Sequence, residues 1–261
     1  MHMGKVPLRL PHTQRIGFRA IAAYLAILFI LLTAVPGVGQ GQQHQSAAEL
    51  LEKFEKTRAF GQQLDVAEKI VETRDTSLLL QLESWLSHED RHLRGNAAFI
   101  FAALGDDRGL DVINKILTDR SDRPEGQGIP GDVGLGYGWS LQRQIAADRY
   151  YAVHLIGQLK DRRSVPVLVA LMHDEQVNYK AAWALGQIGG ESAVQGLIAT
   201  LDNNHRPEVL VTAIEAVANL NAEVALPSLR RLLADNDRTH FGEPVSVAEV
   251  AQSAITKLQH P

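Results

Sequence analysis

The sequence predicts an all-α protein: a right-handed α-solenoid of stacked antiparallel helix pairs, preceded by an N-terminal signal or anchor segment. The first observation is a spaced pattern that occurs four times, anchored on Leu104, Leu159, Ile188 and Leu220. Alanine stands seven residues before each anchor (Ala97, Ala152, Ala181, Ala213), and a larger apolar residue three before (Phe101, Ile156, Leu185, Val217). A small residue stands two before (Ala102, Gly157, Gly186, Ala218). The second observation is that the match continues past the anchor. Leu110, Val165, Val194 and Leu226 stand at plus six, and Ile113, Leu168, Leu197 and Leu229 at plus nine. Spacings of three and four put each set on one face of a helix. The third is the period of roughly 30 residues, the mark of a repeat array whose units bury their faces against one another.

The chain begins with a segment of different character. Lys5, Arg9, Arg15 and Arg19 precede an apolar run from Ile21 to Val35, and Pro36, Gly37, Val38, Gly39 and Gln40 follow. A basic front, an apolar centre and a small-residue exit predict a signal peptide over residues 1–40. The run is long for a signal and short of the about 20 residues of a spanning helix, so an uncleaved anchor stays open beside it. Either way the basic end stays inside, and the expected location is across the cytoplasmic membrane: periplasmic, extracellular or N-terminally anchored. Membrane contact is expected only through residues 16–38, if these are not removed. Residues 41–47 are polar and read as a flexible spacer.

The solenoid is expected over residues 48–261. Its first unit, residues 47–88, is degenerate: one helix from Ala47 to Thr73, then a second carrying Leu79, Leu82, Trp85 and Leu86. Each regular unit turns just after its anchor. Gly105 and Gly189 suit helix ends, Ser164 is placed to cap the next helix, and Pro166 and Pro227 fit a first turn. Asp119, Asp174, Asn203 and Asp235, at plus fifteen, are placed to cap the first helix of the following unit. Ala251, Ile255 and Leu258 repeat the first half of the pattern and predict a single closing helix.

Composition removes several function classes. The chain has 261 residues and no cysteine, which excludes disulfides, thiolate metal sites, a cysteine nucleophile and a lipoprotein anchor. The formal net charge is −4, and −8 without the four basic residues that precede Glu49, the first acidic residue. No basic stripe or aromatic ladder stands on the second helices, which argues against nucleic acid as a partner.

One junction breaks the period. Leu104 and Leu159 are 55 residues apart, against 32 between Ile188 and Leu220. The excess is a Gly-rich insertion over 120–142 that carries Arg123, Tyr137 and Trp139. Long loops inside regular arrays concentrate function, and aromatics on them make good anchors. These three residues are the candidate partner-binding set. Spacing alone assigns no catalytic, cofactor or metal residue. His88 and His92 are four apart, but Asp90 between them is better placed as a helix cap. Tyr150, Tyr151 and Trp183 read as core or inter-unit packing.

The stretches AALGDDRGL at 102–110, LKDRRSVPVLVALMHD at 159–174 and WALGQIGGESAV at 183–194 resemble the HEAT-repeat family, specifically its short bacterial form of the phycobilisome-lyase type. The resemblance covers roughly residues 75–260. It implies the fold and the packing of the second helices along a concave face. Its members include bilin-attaching lyases, scaffolds and exported proteins. The resemblance is specific for fold and weak for function; the repeat pattern and the lack of a strong catalytic motif lead to the expected function, a non-enzymatic protein–protein interaction scaffold of the envelope or periplasm, needing no cofactor and binding another protein through the solenoid surface and the 120–142 loop. The alternatives are a lyase-like or cofactor- or metal-binding enzyme variant, and a purely structural envelope component.

Overall fold

Ser46 opens the helical array. Its hydroxyl accepts from the Glu49 N–H at 3.3 Å while the Glu49 carboxylate accepts from the Ser46 N–H at 2.8 Å, a reciprocal cap that starts α1 (Ala47–Lys56). The computed structural model describes residues 45–121, 141–240 and 244–260, all within the unit Gln45–Pro261. The expected signal or anchor segment and residues 122–140 of the insertion lie outside the described residues. Among the described residues no helix is long and apolar enough to cross a membrane.

The first unit departs from expectation. The single helix expected over 47–73 is two, α1 and α2 (Phe60–Thr73), because Thr57 turns extended. One side chain takes two of the carbonyls there: the buried Gln63 amide donates to Phe54 O at 3.0 Å and to Thr57 O at 3.2 Å. The second half of the unit is a short helix, α3 (Leu79–Leu82), between 3-10 turns at 76–78 and 83–87.

The regular units follow as α4 (Arg91–Ala103) with α5 (Asp107–Thr118), α6 (Leu141–Leu159) with α7 (Val165–Leu171), α8 (Asn178–Ile188) with α9 (Glu191–Asn203), and α10 (Pro207–Asn219) with α11 (Leu226–Arg231). The closing helix is α12 (Val247–Gln259). Among the described residues there is no strand, only an isolated bridge between Arg238 and Ser246. The helices α2, α4, α6, α8, α10 and α12 lie side by side in that order, and α7, α9 and α11 form a second row against them. Packing chiefly between successive units is that of an α-solenoid.

The repeat positions do what their chemistry dictates. All four alanines at minus seven, the four residues at minus three and the four at plus nine are 0% exposed. At minus two the small residue sets the helix spacing: a Cβ on Gly186 would stand 2.7 Å from the Ala216 Cβ on α10. The residue after each anchor is left-handed in every unit, with φ of 91° at Gly105, 52° at Lys160, 66° at Gly189 and 52° at Asn221. That conformation ends the helix and turns the chain toward its partner.

Two expected caps are corrected. Ser164 makes no side-chain cap; its hydroxyl is buried without a hydrogen-bond partner among the described residues, and Asp161 caps the turn by accepting from the Arg163 N–H. The acidic residues at plus fifteen do not cap the next helix either. Asp119, Asp174 and Asp235 accept the N–H two residues on and close the turn between units, while Asn204, not Asn203, does so in the third. Pro166 and Pro227 do occupy first turns.

Candidate functional site

The described residues with the most chemistry lie along the N-terminal halves of α4, α6 and α8, where the insertion joins α5 to α6. Asp90 caps α4 by accepting from the His92 and Leu93 N–H groups at 2.8 and 3.1 Å, and so begins the helix at Arg91. The Arg91 guanidinium is buried and reaches three elements. It donates to Asp119 at 3.0 Å, to the Ser121 hydroxyl and carbonyl at 2.7 and 3.0 Å, and to Asp148 on α6 at 3.2 Å. Arg149, next along α6, donates to Leu117 O at 3.1 Å, to Gln176 at 3.0 Å and to Asp174 at 2.5 Å. The planar fork of arginine suits such multi-point bracing. The Arg149 hydrogen bond holds the Asp174 carboxyl below its ordinary range against partial burial. Burial pushes the Asp119 carboxyl up, but the hydrogen bonds from Ser121 and Arg91 outweigh it and leave it below its ordinary value.

A row of rings runs beside these arginines. Phe60 stacks on His92 at 4.6 Å, and both meet Tyr151 edge-on at 4.8 Å. The Tyr151 hydroxyl donates to Asn96 at 2.5 Å, and Asn96 donates in turn to Phe60 O and Gln63. Burial pushes the Tyr151 hydroxyl well above the usual tyrosine range. These residues are satisfied core, and Tyr151 is the packing residue the sequence predicts.

Farther along, the rings stay partly exposed. His154 stacks on Trp183 at 5.2 Å, and Tyr150 lies 5.7 Å from Tyr179 across the α6–α8 contact. The Lys180 ammonium sits between them, 3.4 Å from the centre of the Trp183 ring and 5.1 Å from that of Tyr150. Burial lowers the Lys180 amine to about 8. Burial, and then the Lys180 charge, lower His154 to about 4, so its ring is neutral at pH 7. The face therefore offers flat π surfaces, a neutral imidazole and one buried cation.

Of the residues singled out in the sequence, Arg123, Tyr137 and Trp139 lie outside the described residues. His88 and His92 do not share a helix face: His88 precedes α4, accepts from the Asp90 N–H and stacks on Trp85, whereas His92 is buried in α4. Among the described residues no three acidic or imidazole groups converge to hold a metal ion. The Tyr150–Lys180–Trp183 group was not picked out as a site. A signal for it exists: Tyr150 and Tyr179 both stand nine before their anchors, and His154 and Trp183 five before. Paired rings at equal offsets in neighbouring units must meet when the units stack.

Residues 141–209 and 174–240 match the family model of HEAT repeats. Over residues 141–240 the chain is similar to HEAT repeats. A stretch of 117 residues is 32% identical to Phycocyanobilin lyase subunit alpha of Picosynechococcus sp., covering 37% of this chain and 42% of that protein. The chain thus spans less than half the length of the curated relative it matches. This likeness corrects the expectation of a non-enzymatic envelope scaffold: the named relative is a lyase subunit, which favours the lyase-like alternative.

Proposed function

We propose that this chain is a lyase-like protein that binds a flat, conjugated chromophore of the bilin class and presents it to a protein acceptor. The observation that carries the reading is the 32% identity with a phycocyanobilin lyase subunit. The half-exposed rings of Tyr150, His154, Tyr179 and Trp183 support it, since such rings take a conjugated ligand by offset or edge-on stacking. The arginine braces support it as well. Arg91 and Arg149 hold the ends of α4, α5 and α6 in one arrangement, so the ring row is organised before a ligand arrives. Arg123, Tyr137 and Trp139, on the insertion between α5 and α6, are assigned to the acceptor. The expectation of export rests on residues 1–40 and bears on where the acceptor sits, not on what the ring row binds.

Titrating the purified protein into phycocyanobilin is the test. Stacking on a chiral ring row is expected to shift the visible absorbance and induce circular dichroism in that band. A spectrum identical to the free chromophore at every protein concentration would overturn the reading. Replacing Tyr137 and Trp139 together by alanine is expected to leave the chromophore signal intact and weaken transfer to an acceptor protein; unchanged transfer would remove them from the acceptor contact.

A further inference from the structure

Lys180 is 8% exposed and carries a charge that nothing around it neutralises. Among the described residues no carboxylate pairs with it, and its ammonium makes no hydrogen bond; its contacts are the faces of Trp183 and Tyr150. Those faces offset part of the cost of burying the side chain. The position aggravates the cost. Lys180 is the third residue of α8, whose N-terminus lacks a side-chain cap at Val177, and the positive end of a helix disfavours a cation. The first N–H groups of α8 are already taken, that of Asn178 by Asp174 O and that of Tyr179 by the Asn178 side chain, both at 2.8 Å, so it is the cation without a carboxylate partner that calls for an anion. The depressed amine, lowered by burial to about 8, is consistent with that missing partner. The neighbours set the shape: Tyr179 is 37% exposed, and Tyr150, His154 and Trp183 are each half-buried around the ammonium.

We infer that Lys180, between Trp183 and Tyr150, is a pairing site for a carboxylate borne by a flat conjugated ligand whose rings lie along the Tyr179–Tyr150 and His154–Trp183 faces. Naming that ligand as a bilin, through its propionate side chains, rests on the lyase-like reading; the carboxylate site itself does not. Lys180 is here a binding residue, with no covalent step. Tyr179, the outermost ring, is the one that yields as the carboxylate enters.

Two probe pairs separate the two ideas. One is phycocyanobilin against its dimethyl ester; the other is 1-pyrenebutyrate against 1-pyrenebutanol, flat molecules without a tetrapyrrole. Each is titrated against the full chain and its Lys180→Met and Lys180→Arg variants, with helicity checked by far-ultraviolet circular dichroism. Methionine matches the stem and removes the buried charge, so folding is expected to persist, and arginine keeps the charge should it not. The wild type is expected to bind each acid about tenfold or more tighter than its neutral partner, as a charge-assisted contact does. Lys180→Met is expected to lose that preference, and Lys180→Arg to keep much of it. Equal affinity for acid and neutral partner, or an undiminished preference in Lys180→Met, overturns the site while leaving chromophore binding standing. Lys180-dependent binding of pyrenebutyrate without binding of phycocyanobilin upholds the site and sinks the bilin reading. Binding of neither acid overturns both.

Discussion

The Lys180 ammonium rests 3.4 Å from the centre of the indole of Trp183, one turn later on the same helix. That contact stabilises the charge less than water would, so burial takes the amine from its ordinary 10.5 to about 8. The folded chain then holds fewer protons than the unfolded chain between those two values, and its stability rises as pH rises through that window. Tyr151 and Tyr179, both pushed up by burial, act the other way above about pH 10. The wild type and Lys180→Met are therefore compared by urea denaturation from pH 7 to pH 10. The gap between them is expected to favour Lys180→Met at pH 7 and to narrow toward pH 10. A gap that stays constant would show that the amine is not depressed.

The left-handed position after each anchor makes a second prediction. Glycine fills it in two units, but Lys160 and Asn221 hold φ of 52° in the others. A side chain in that region costs about 1–2 kcal/mol, whereas glycine adopts it freely and pays in unfolded-chain entropy. For lysine the steric cost is larger than the entropy gained. Lys160→Gly is expected to raise stability by about 0.5–1 kcal/mol, read as a higher urea midpoint with an unchanged slope. Lys160→Ala leaves φ positive with a Cβ in place, so no gain is expected from it.

The Arg91 braces make a third. The guanidinium is 7% exposed at its side chain and Asp148 2%, and the same arginine holds Asp119 and Ser121. Removing one partner of a buried pair costs about 3–5 kcal/mol. Arg91→Ala is expected to lose stability in that range. Arg91→Lys is expected to recover little, because an ammonium cannot bond Asp119, Ser121 and Asp148 in one plane. Equilibrium denaturation of both variants checks this; full recovery by lysine would mean that charge, not the fork, does the bracing.

These residues also mark how far the sequence could be read. Ala97, Ala152, Ala181 and Ala213 declare the core because helix period and repeat period both act on them, and all four are fully buried. The break at Thr57 was hidden: no glycine or proline marks it, and the Gln63 amide that makes it tolerable looks like any surface glutamine in the sequence. Arg91 and Asp148 are 57 residues apart with the insertion between them, so no spacing joins them. The Lys180 group falls between these cases. Its aromatic offsets are visible in units two and three, but whether neighbouring units turn those offsets toward each other depends on how α6 packs on α8. The candidate set Arg123, Tyr137 and Trp139 rested on the interrupted period, while the chemistry of the described residues collects on the regular helices beside it.

Gly157 gives the last prediction, in which two effects oppose. It lies in the last turn of α6, where alanine would gain at most about 1 kcal/mol from helix propensity. Its Cβ would stand 2.4 Å from a Trp183 ring carbon and 3.1 Å from two others, and that ring is rigid and already held by the His154 stack. Overpacking of this kind costs about 1–3 kcal/mol, so the clash outweighs the propensity gain. Gly157→Ala is expected to lower the urea midpoint and, by pushing Trp183 off His154 and Lys180, to change the near-ultraviolet circular dichroism. Weaker phycocyanobilin binding follows if Trp183 is a stacking face. A variant that gains stability with an unaltered aromatic spectrum would show that α6 and α8 can separate at no cost, and that the small residue two before the anchor does not set the spacing of the units.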